Sequence, residues 1–292
     1  MTTPAVYARN LGKSLGSKTI LRDICVEVTP GSVVGIIGKN GAGKTTLLDV
    51  LLGFSPPSTG GSQLFGADSF QLPANVKSRI GFVPQQDELV NSMTGRQHLA
   101  LTAALSGRWN HALITRLRQA WEVPMDRIAQ QLSGGERQKL STLLALGHEP
   151  DLLVLDEPVA ALDPVSRRQF LQQLLEIASD SRRTVLFSTH IVSDLERVAD
   201  QIWIVRAGQL AWAGALDDLK ESVVRLHISA RQPLPLALPL AGVLSLRTAD
   251  QRATAVVSHW DADVLPQLCK ALNADIDVEP LGLEDLFVEF HA

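Results

Sequence analysis

The segment Gly38-Lys39-Asn40-Gly41-Ala42-Gly43-Lys44-Thr45 constrains this chain more than any other, because of what stands on either side of it. Val33-Val34-Gly35-Ile36-Ile37 is a short apolar, β-branched run that reads as a buried strand. Thr46 to Leu52 then sets apolar residues at helical spacing. Strand, glycine-rich turn and helix in that order fit the pattern G-x-x-x-x-G-K-[ST], the phosphate-binding loop. The glycines let backbone N–H groups of residues 38–46 curl around phosphate oxygens, and the helix dipole adds partial positive charge. In that pattern Lys44 reaches the β- and γ-phosphates, and the Thr45 hydroxyl ligates Mg²⁺. A glycine-rich turn that merely precedes a helix would look the same in isolation, so the rest of the chain has to decide.

A chain of 292 residues can bury a large core and holds one large or two unequal domains. With a net charge of −4, nothing global argues for nucleic acid or an anionic membrane as a partner. Cys25 and Cys269 stand far apart without metal-ligand spacing and read as two reduced structural thiols. The first residues, Met1-Thr2-Thr3-Pro4, lack the basic and apolar regions of a signal peptide. No apolar run reaches the length of a bilayer span.

Ile24, Val26 and Val28 alternate with Cys25, Glu27 and Thr29, a half-buried strand within residues 5–29 that closes at Pro30-Gly31. Short strands are expected at Ser62 to Phe65 and Ile80 to Val83. A helical stretch follows from about Thr94 to Gln131, with Leu113, Leu117 and Trp121 as its buried stripe. His98 and His111 there read as packing or surface residues, since neither has a second ligand at useful spacing. Then come a strand at Leu152 to Leu155, a helix through Phe170, Leu171, Leu174 and Leu175, a strand at Thr184 to Phe187, and a hairpin over 201–210 turning at Ala207-Gly208. Strands alternating with helices predict an α/β core.

From about residue 216 the texture changes to a small α+β appendage. Strands are expected near Val224 to Ile228, Val243 to Arg247, Ala253 to Val257 and Asp275 to Val278, with a helix near Val264 to Leu272. The proline-broken run Leu234 to Leu240 reads as packed but irregular.

Two further stretches bear on chemistry. The apolar run Leu152 to Leu155 ends in Asp156-Glu157. A buried strand holds such acids rigidly at the phosphate crevice, Asp156 toward Mg²⁺ and Glu157 toward an attacking water. Alone, the pair could equally be solvated surface charge. Leu132-Ser133-Gly134-Gly135-Glu136-Arg137-Gln138 starts a second helix after a Ser-Gly-Gly turn, which could equally be an N-capped surface helix.

This second stretch resembles the LSGGQ signature of the ATP-binding subunits of ABC transporters, with Glu136 at the final Gln position. The resemblance covers almost all of residues 5–215, in the family's order. Gly38 to Thr45 is similar to its Walker A, and Gly81-Phe82-Val83-Pro84-Gln85 to its Q-loop, which implies that Gln85 contacts Mg²⁺ and water. Asp156 and Glu157 resemble the Walker B pair, and Ala161-Leu162-Asp163 the D-loop. Ser188-Thr189-His190 resembles the switch, which implies that His190 senses the γ-phosphate. One departure stands out: Lys13-Ser14-Leu15-Gly16 puts Leu15 where the family has an aromatic that stacks on adenine, and leucine has no π face.

The resemblance implies a P-loop NTPase core of ABC ATPase type over residues 1–215, with a helical subdomain at about 86–140 and the α+β appendage at 216–292. It implies ATP and Mg²⁺ as ligands. It also implies a head-to-tail homodimer, or a heterodimer with a related ATPase, in which Ser133, Gly134, Gly135 and Glu136 of one chain meet the nucleotide on the other, with Asp163 beside them. The tail Leu283-Glu284-Asp285-Leu286-Phe287 resembles that of bacterial ABC-2 type exporter ATPases. It implies docking on a separate integral membrane permease at the cytoplasmic face, with no nucleic acid bound. An importer ATPase is the runner-up, because the motifs do not record direction. A soluble non-transport ABC ATPase is disfavoured by the single nucleotide domain.

Overall fold

In the computed structural model, residues 3–181, 183–235 and 238–291 are described. They divide into two compact units, Met1–Ala213 and Gly214–Ala292.

The first unit contains strands β1 (Val6–Leu15), β2 (Lys18–Val28), β3 (Val33–Ile37), β4 (Thr59–Leu64), β5 (Ala67–Asp68), β6 (Ile80–Val83), β7 (Leu152–Asp156), β8 (Thr184–Thr189), β9 (Gln201–Arg206) and β10 (Gln209–Ala215). Its helices are α1 (Lys44–Leu51), α2 (Ala74–Lys77), α3 (Gly95–Leu105), α4 (His111–Ala120), α5 (Gly134–Leu146), α6 (Pro164–Ser181) and α7 (Val192–Leu195). A six-stranded sheet runs in the order β10-β9-β3-β8-β7-β6. The pairs β3–β8, β3–β9, β7–β8 and β6–β7 are parallel. Every residue of β3, β7 and β8 is buried, the continuous pattern that a parallel sheet covered on both faces demands. A second, antiparallel sheet in the order β2-β1-β4-β5 shares one apolar core with α1 through Leu21, Ile24, Leu47, Leu48 and Leu51.

Ile24, Val26 and Val28 are buried and their neighbours exposed, as the alternation predicts. Residues 5–29 nevertheless hold two strands rather than one. β1 pairs with β2 in a hairpin, and its alternation is broken by register shifts around Asn10, whose φ is 48°. The helical stretch breaks into α3, α4 and a 3-10 turn, Ala129–Gln131. Its buried stripe is Ile114, Leu117 and Trp121, with Leu113 only half-buried. His98 is a packing residue: its Nε2 accepts from the Val90 amide at 3.0 Å and its Nδ1 meets the Thr94 carbonyl at 2.8 Å. His111 is exposed, and both cysteines are free.

The second unit holds α8 (Leu216–Ser222), β11 (Val224–Ala230), β12 (Val243–Ala249), β13 (Arg252–Val257), α9 (Leu265–Leu272), β14 (Ala274–Pro280) and α10 (Leu283–Phe290). Its sheet is antiparallel, in the order β12-β13-β11-β14. Val224, Leu226 and Ile228 point into a core with Leu268 of α9, while Arg225 and His227 take the alternate face. Leu234, Leu238 and Leu240 pack against that core. Leu236 and Ala237 of the same run lie outside the described residues. α8 goes unmarked in the sequence reading because its polar run Asp217-Asp218 interrupts the apolar spacing.

Candidate active site

The C-terminal ends of the parallel strands lie along one edge of the sheet, the place where an open α/β sheet binds ligands. The loop after β3 is residues 38–43, and α1 begins at Lys44, two residues earlier than the spacing predicts. Two glycines make the turn possible. Gly43 is the N-cap of α1 at φ 109°, which side-chain-bearing residues rarely adopt. A Cβ on Gly38 would lie 2.5 Å from the Val205 carbonyl oxygen. Lys39, Asn40 and Gly41 are exposed, Ala42 is buried, and Thr46 is half-buried at the start of α1.

Lys44 is buried and its Nζ donates to the Gly38 carbonyl at 2.8 Å. The same Nζ lies 3.3 Å from Glu157 Oε1. Glu157 Oε2 in turn is 2.7 Å from His190 Nδ1. The lysine and glutamate side chains are 7% and 5% exposed, whereas the histidine is half-exposed. A buried ion pair is weak evidence for stability, because desolvation offsets most of its Coulomb gain; breaking one costs about 3–5 kcal/mol. Such a pair between the start of α1 and the end of β7 therefore points to chemistry more than to folding.

Asp156 ends β7. Its Oδ2 accepts from the Thr45 hydroxyl at 2.7 Å, and its Oδ1 accepts from the Ser188 hydroxyl. Ser188 also receives the Glu157 amide, on its Oγ at 2.9 Å and its carbonyl at 3.2 Å. These bonds hold Glu157 at φ 51°, a left-handed conformation that costs about 1–3 kcal/mol and clusters at functional sites. Ser188 is thus a positioning residue that the motif order names only as part of the switch stretch. Asp49 on α1 is a further neighbour missed by sequence: burial first, then the Asp156 charge, raises its carboxyl above the ordinary range.

Thr45 and Asp156 offer hard oxygen donors within hydrogen-bond reach of each other. That set fits Mg²⁺, which takes one or two protein oxygens and completes its shell with water and substrate phosphates. Among the described residues there is no cluster of three acidic, His or Cys groups, as a closed cation cage would need. Gln85 lies exposed in the bend after β6, and among the described residues no hydrogen bond joins it to Thr45 or Asp156.

The remaining predicted positions lie outside this cluster. Ser133 is the N-cap of α5, in a full capping box with Glu136: the Glu136 amide donates to Ser133 Oγ at 3.3 Å and the Ser133 amide to Glu136 Oε2 at 2.7 Å. Glu136 thereby has an internal role that the signature pattern does not disclose. Ser133 and Gly134 are exposed and Gly135 half-buried. Asp163 is exposed, and its Oδ1 accepts from the Val165 and Ser166 amides at 3.0 and 3.1 Å. Bonds to Ser166 above all hold its carboxyl below the ordinary range. Leu15, at the end of β1, is 58% exposed.

A family model described as ABC transporter matches residues 21–160. The ABC transporter ATP-binding protein NatA of Bacillus subtilis is 35% identical over 69% of this chain and 84% of its own length. The chain belongs to the family of ABC transporter ATP-binding proteins. The Nod factor export ATP-binding protein I of Paraburkholderia xenovorans is 30% identical over 99% of this chain and 97% of its own. Among solved structures, a dimeric ATP-binding cassette in a post-hydrolysis state with ADP and Pi covers 72% of this chain and 98% of its own. That match has a TM-score of 0.65 at 23% identity, a likeness of fold. The chain is therefore the ATP-binding, ATP-hydrolysing subunit of an ABC transporter, built on the P-loop fold that its motifs imply.

Proposed function

We propose that this subunit powers export through a separate membrane-spanning subunit, cycling as a dimer around two ATP molecules. Within each site, backbone N–H groups of residues 38–46 cradle the phosphates. Lys44 leaves Glu157 for the β- and γ-phosphates. Thr45 and Asp156, with Gln85, would hold Mg²⁺, which would neutralise charge developing on the phosphates. Glu157, freed from the lysine and still bonded to His190, orients and deprotonates the attacking water. Its carboxylate is thus held until phosphate draws the cation away.

The observation that carries the membrane-partner reading is a cleft of about 1050 Å³ beside the Gln85 bend, between β6 and the helices α3 and α5. Phe82, Pro84, Leu101, Leu105 and Leu144 line it, and Leu105 is 79% exposed. Apolar side chains left open in this way suit a protein partner. No helix among the described residues is long and apolar enough to cross a membrane. We place the chain at the cytoplasmic face, held there by the permease. Dimerisation is supported by the exposed N-terminus of α5, whose backbone N–H groups suit the γ-phosphate of a second copy, and by the dimeric cassette of the same fold. Export is supported by the relative that spans 97% of its length against this chain, which is named for export. Residues 1–215 form the nucleotide-binding domain in this reading, and 216–292 a separate accessory domain.

The test is to tag the chain in its native cell, extract membranes in mild detergent, and identify what co-purifies. A multispanning membrane protein in about equal amount is the expected result. Recovery as a soluble preparation, or with ribosomes or DNA, would contradict it. Cargo accumulating inside energised inverted vesicles supports export, and depletion would mark an importer.

A further inference from the structure

Arg137 lies in the first turn of α5, directly after the capping Glu136. Its Nε donates to Asp87 Oδ2 at 2.8 Å and its Nη2 donates to Asp87 Oδ1, a bidentate fork. The remaining Nη1 donates to the Ala129 carbonyl at 2.7 Å and to Asn91 Oδ1 at 3.2 Å. The arginine and aspartate side chains are 19% and 18% exposed, so solvent screens the pair only partly.

Asp87 stands two residues beyond Gln85, and its Oδ1 also accepts from the Leu89 amide at 3.3 Å. The Gln130 amide donates to the Asn91 carbonyl at 3.1 Å, and the Ala129 amide to the Met93 carbonyl at 2.8 Å. One guanidinium thus ties the loop 85–91 to a stretch about forty residues on, the turn at 129–131 and the start of α5 that follows it. Burial alone would raise the Asp87 carboxyl. The hydrogen bond and charge of Arg137, with the Leu89 amide, outweigh it and hold the group below the ordinary carboxylate range. The pair is therefore ionised at neutral pH.

α5 does not need this arginine to begin. Its capping box already satisfies the Ser133 and Glu136 amides. What the fork adds is geometry, since it fixes the direction of α5 against the loop that carries Gln85.

We propose that Arg137 is a positioning residue for ATP hydrolysis: clamped to Asp87, it holds Ser133 to Gly135 in register with the Gln85 loop, so that movement of either is passed to the other. This role rests on the dimer reading above, in which Ser133 to Gly135 meet nucleotide on the second chain. Lysine would not replace it, because an ammonium cannot make the two parallel bonds or reach Ala129 and Asn91 at once.

The test uses the full chain in a Glu157→Gln background, with nucleotide affinity read by titration of a fluorescent ATP analogue and ATP-driven dimerisation read by light scattering. Arg137→Ala should leave affinity within about twofold while weakening dimerisation about tenfold, the scale of coupling between residues in contact. Asp87→Asn should do the same, and the double variant should be no worse than the worse single. Arg137→Lys keeps the charge and most of the packing, so it should fold and fall between Ala and the parent. Dimerisation of Arg137→Ala equal to the parent, additive losses in the double, or an Arg137→Lys variant with full dimerisation would each overturn the role. A parent that binds ATP yet stays monomeric would overturn the dimer reading itself, and this role with it.

Discussion

Lys44, Asp156 and Glu157 are buried where β7 ends and α1 begins, whereas Arg225, His227 and Glu279 take the sheet face opposite the apolar core of the C-terminal unit, where His227 and Glu279 are about half-exposed and Arg225 also meets Asp285 and Glu289 of α10. Both groups form ion pairs at similar distances, 3.3 Å for Lys44–Glu157 and 3.2 Å for Arg225–Glu279, and His227 Nε2 lies 2.8 Å from Glu279 Oε2. What differs is the solvent. The His227 and Glu279 side chains are open to water, so their contact is screened, contributes little and says little about function. The buried set has lost its water, and its strained Glu157 backbone adds a further cost. A fold tolerates that where the charges are used, and in the proposed function they serve phosphate chemistry. In the C-terminal unit the buried positions are apolar instead, with Leu226, Ile228, Ala255 and Val257 almost wholly enclosed.

The largest effect expected from this contrast is on rate. Replacing Glu157 by Gln removes the base while keeping its size, and should lower steady-state phosphate release about 10²- to 10⁴-fold, with ATP binding retained. Turnover near the parent rate would remove Glu157 from that role.

In the C-terminal unit the sharpest change is on stability. Leu226→Ala deletes a fully buried side chain and should cost about 2–5 kcal/mol, measured by denaturant unfolding. Nucleotide affinity should stay as in the parent. A large loss of affinity would break the separation of roles between the two units.

Lys44→Ala should weaken ATP binding about 10- to 100-fold, the loss of charge-assisted bonds to phosphate of about 1.5–3 kcal/mol, read by nucleotide titration. Unchanged affinity would mean that the loop does not hold the phosphates.

The smallest effect belongs to Glu279. Hydrogen bonds from His227 first, then Arg225, lower its carboxyl below the ordinary range. A depressed carboxyl stabilises the fold at pH values above its unfolded pKa and loses that contribution as the pH falls through the folded value. Thermal melts of Glu279→Gln should therefore sit slightly below the parent at neutral pH and converge with it in acid. Divergence that grows in acid would contradict the assignment.

Much of this was legible in the chain itself. β3, β7 and β8 read directly as apolar runs because parallel strands buried on both faces have no solvent side to encode. The loop of residues 38–45 is equally readable, since glycines at fixed offsets are a steric requirement. What stayed hidden was pairing across distance. Nothing local marks Ser188 as the group that ties Asp156 to the Glu157 amide, or Asp87 as the anchor of Arg137, because each depends on strands or loops that meet only on folding. The β1–β2 hairpin reads as one strand in the sequence because the bulge at Asn10 erases the period of β1. Among the described residues no hydrogen bond or ion pair joins Gln85 or Ser133 to Lys44, Glu157 or His190.

The most direct test of the account is a structure of the Glu157→Gln variant with ATP and Mg²⁺. The account predicts phosphates on the loop of residues 38–45, with Lys44 moved off residue 157 and Mg²⁺ against Thr45 and Asp156. It also predicts Ser133 to Gly135 of a second copy closing on the γ-phosphate. Nucleotide bound elsewhere, or bound on a chain whose Lys44 still contacts residue 157, would contradict it.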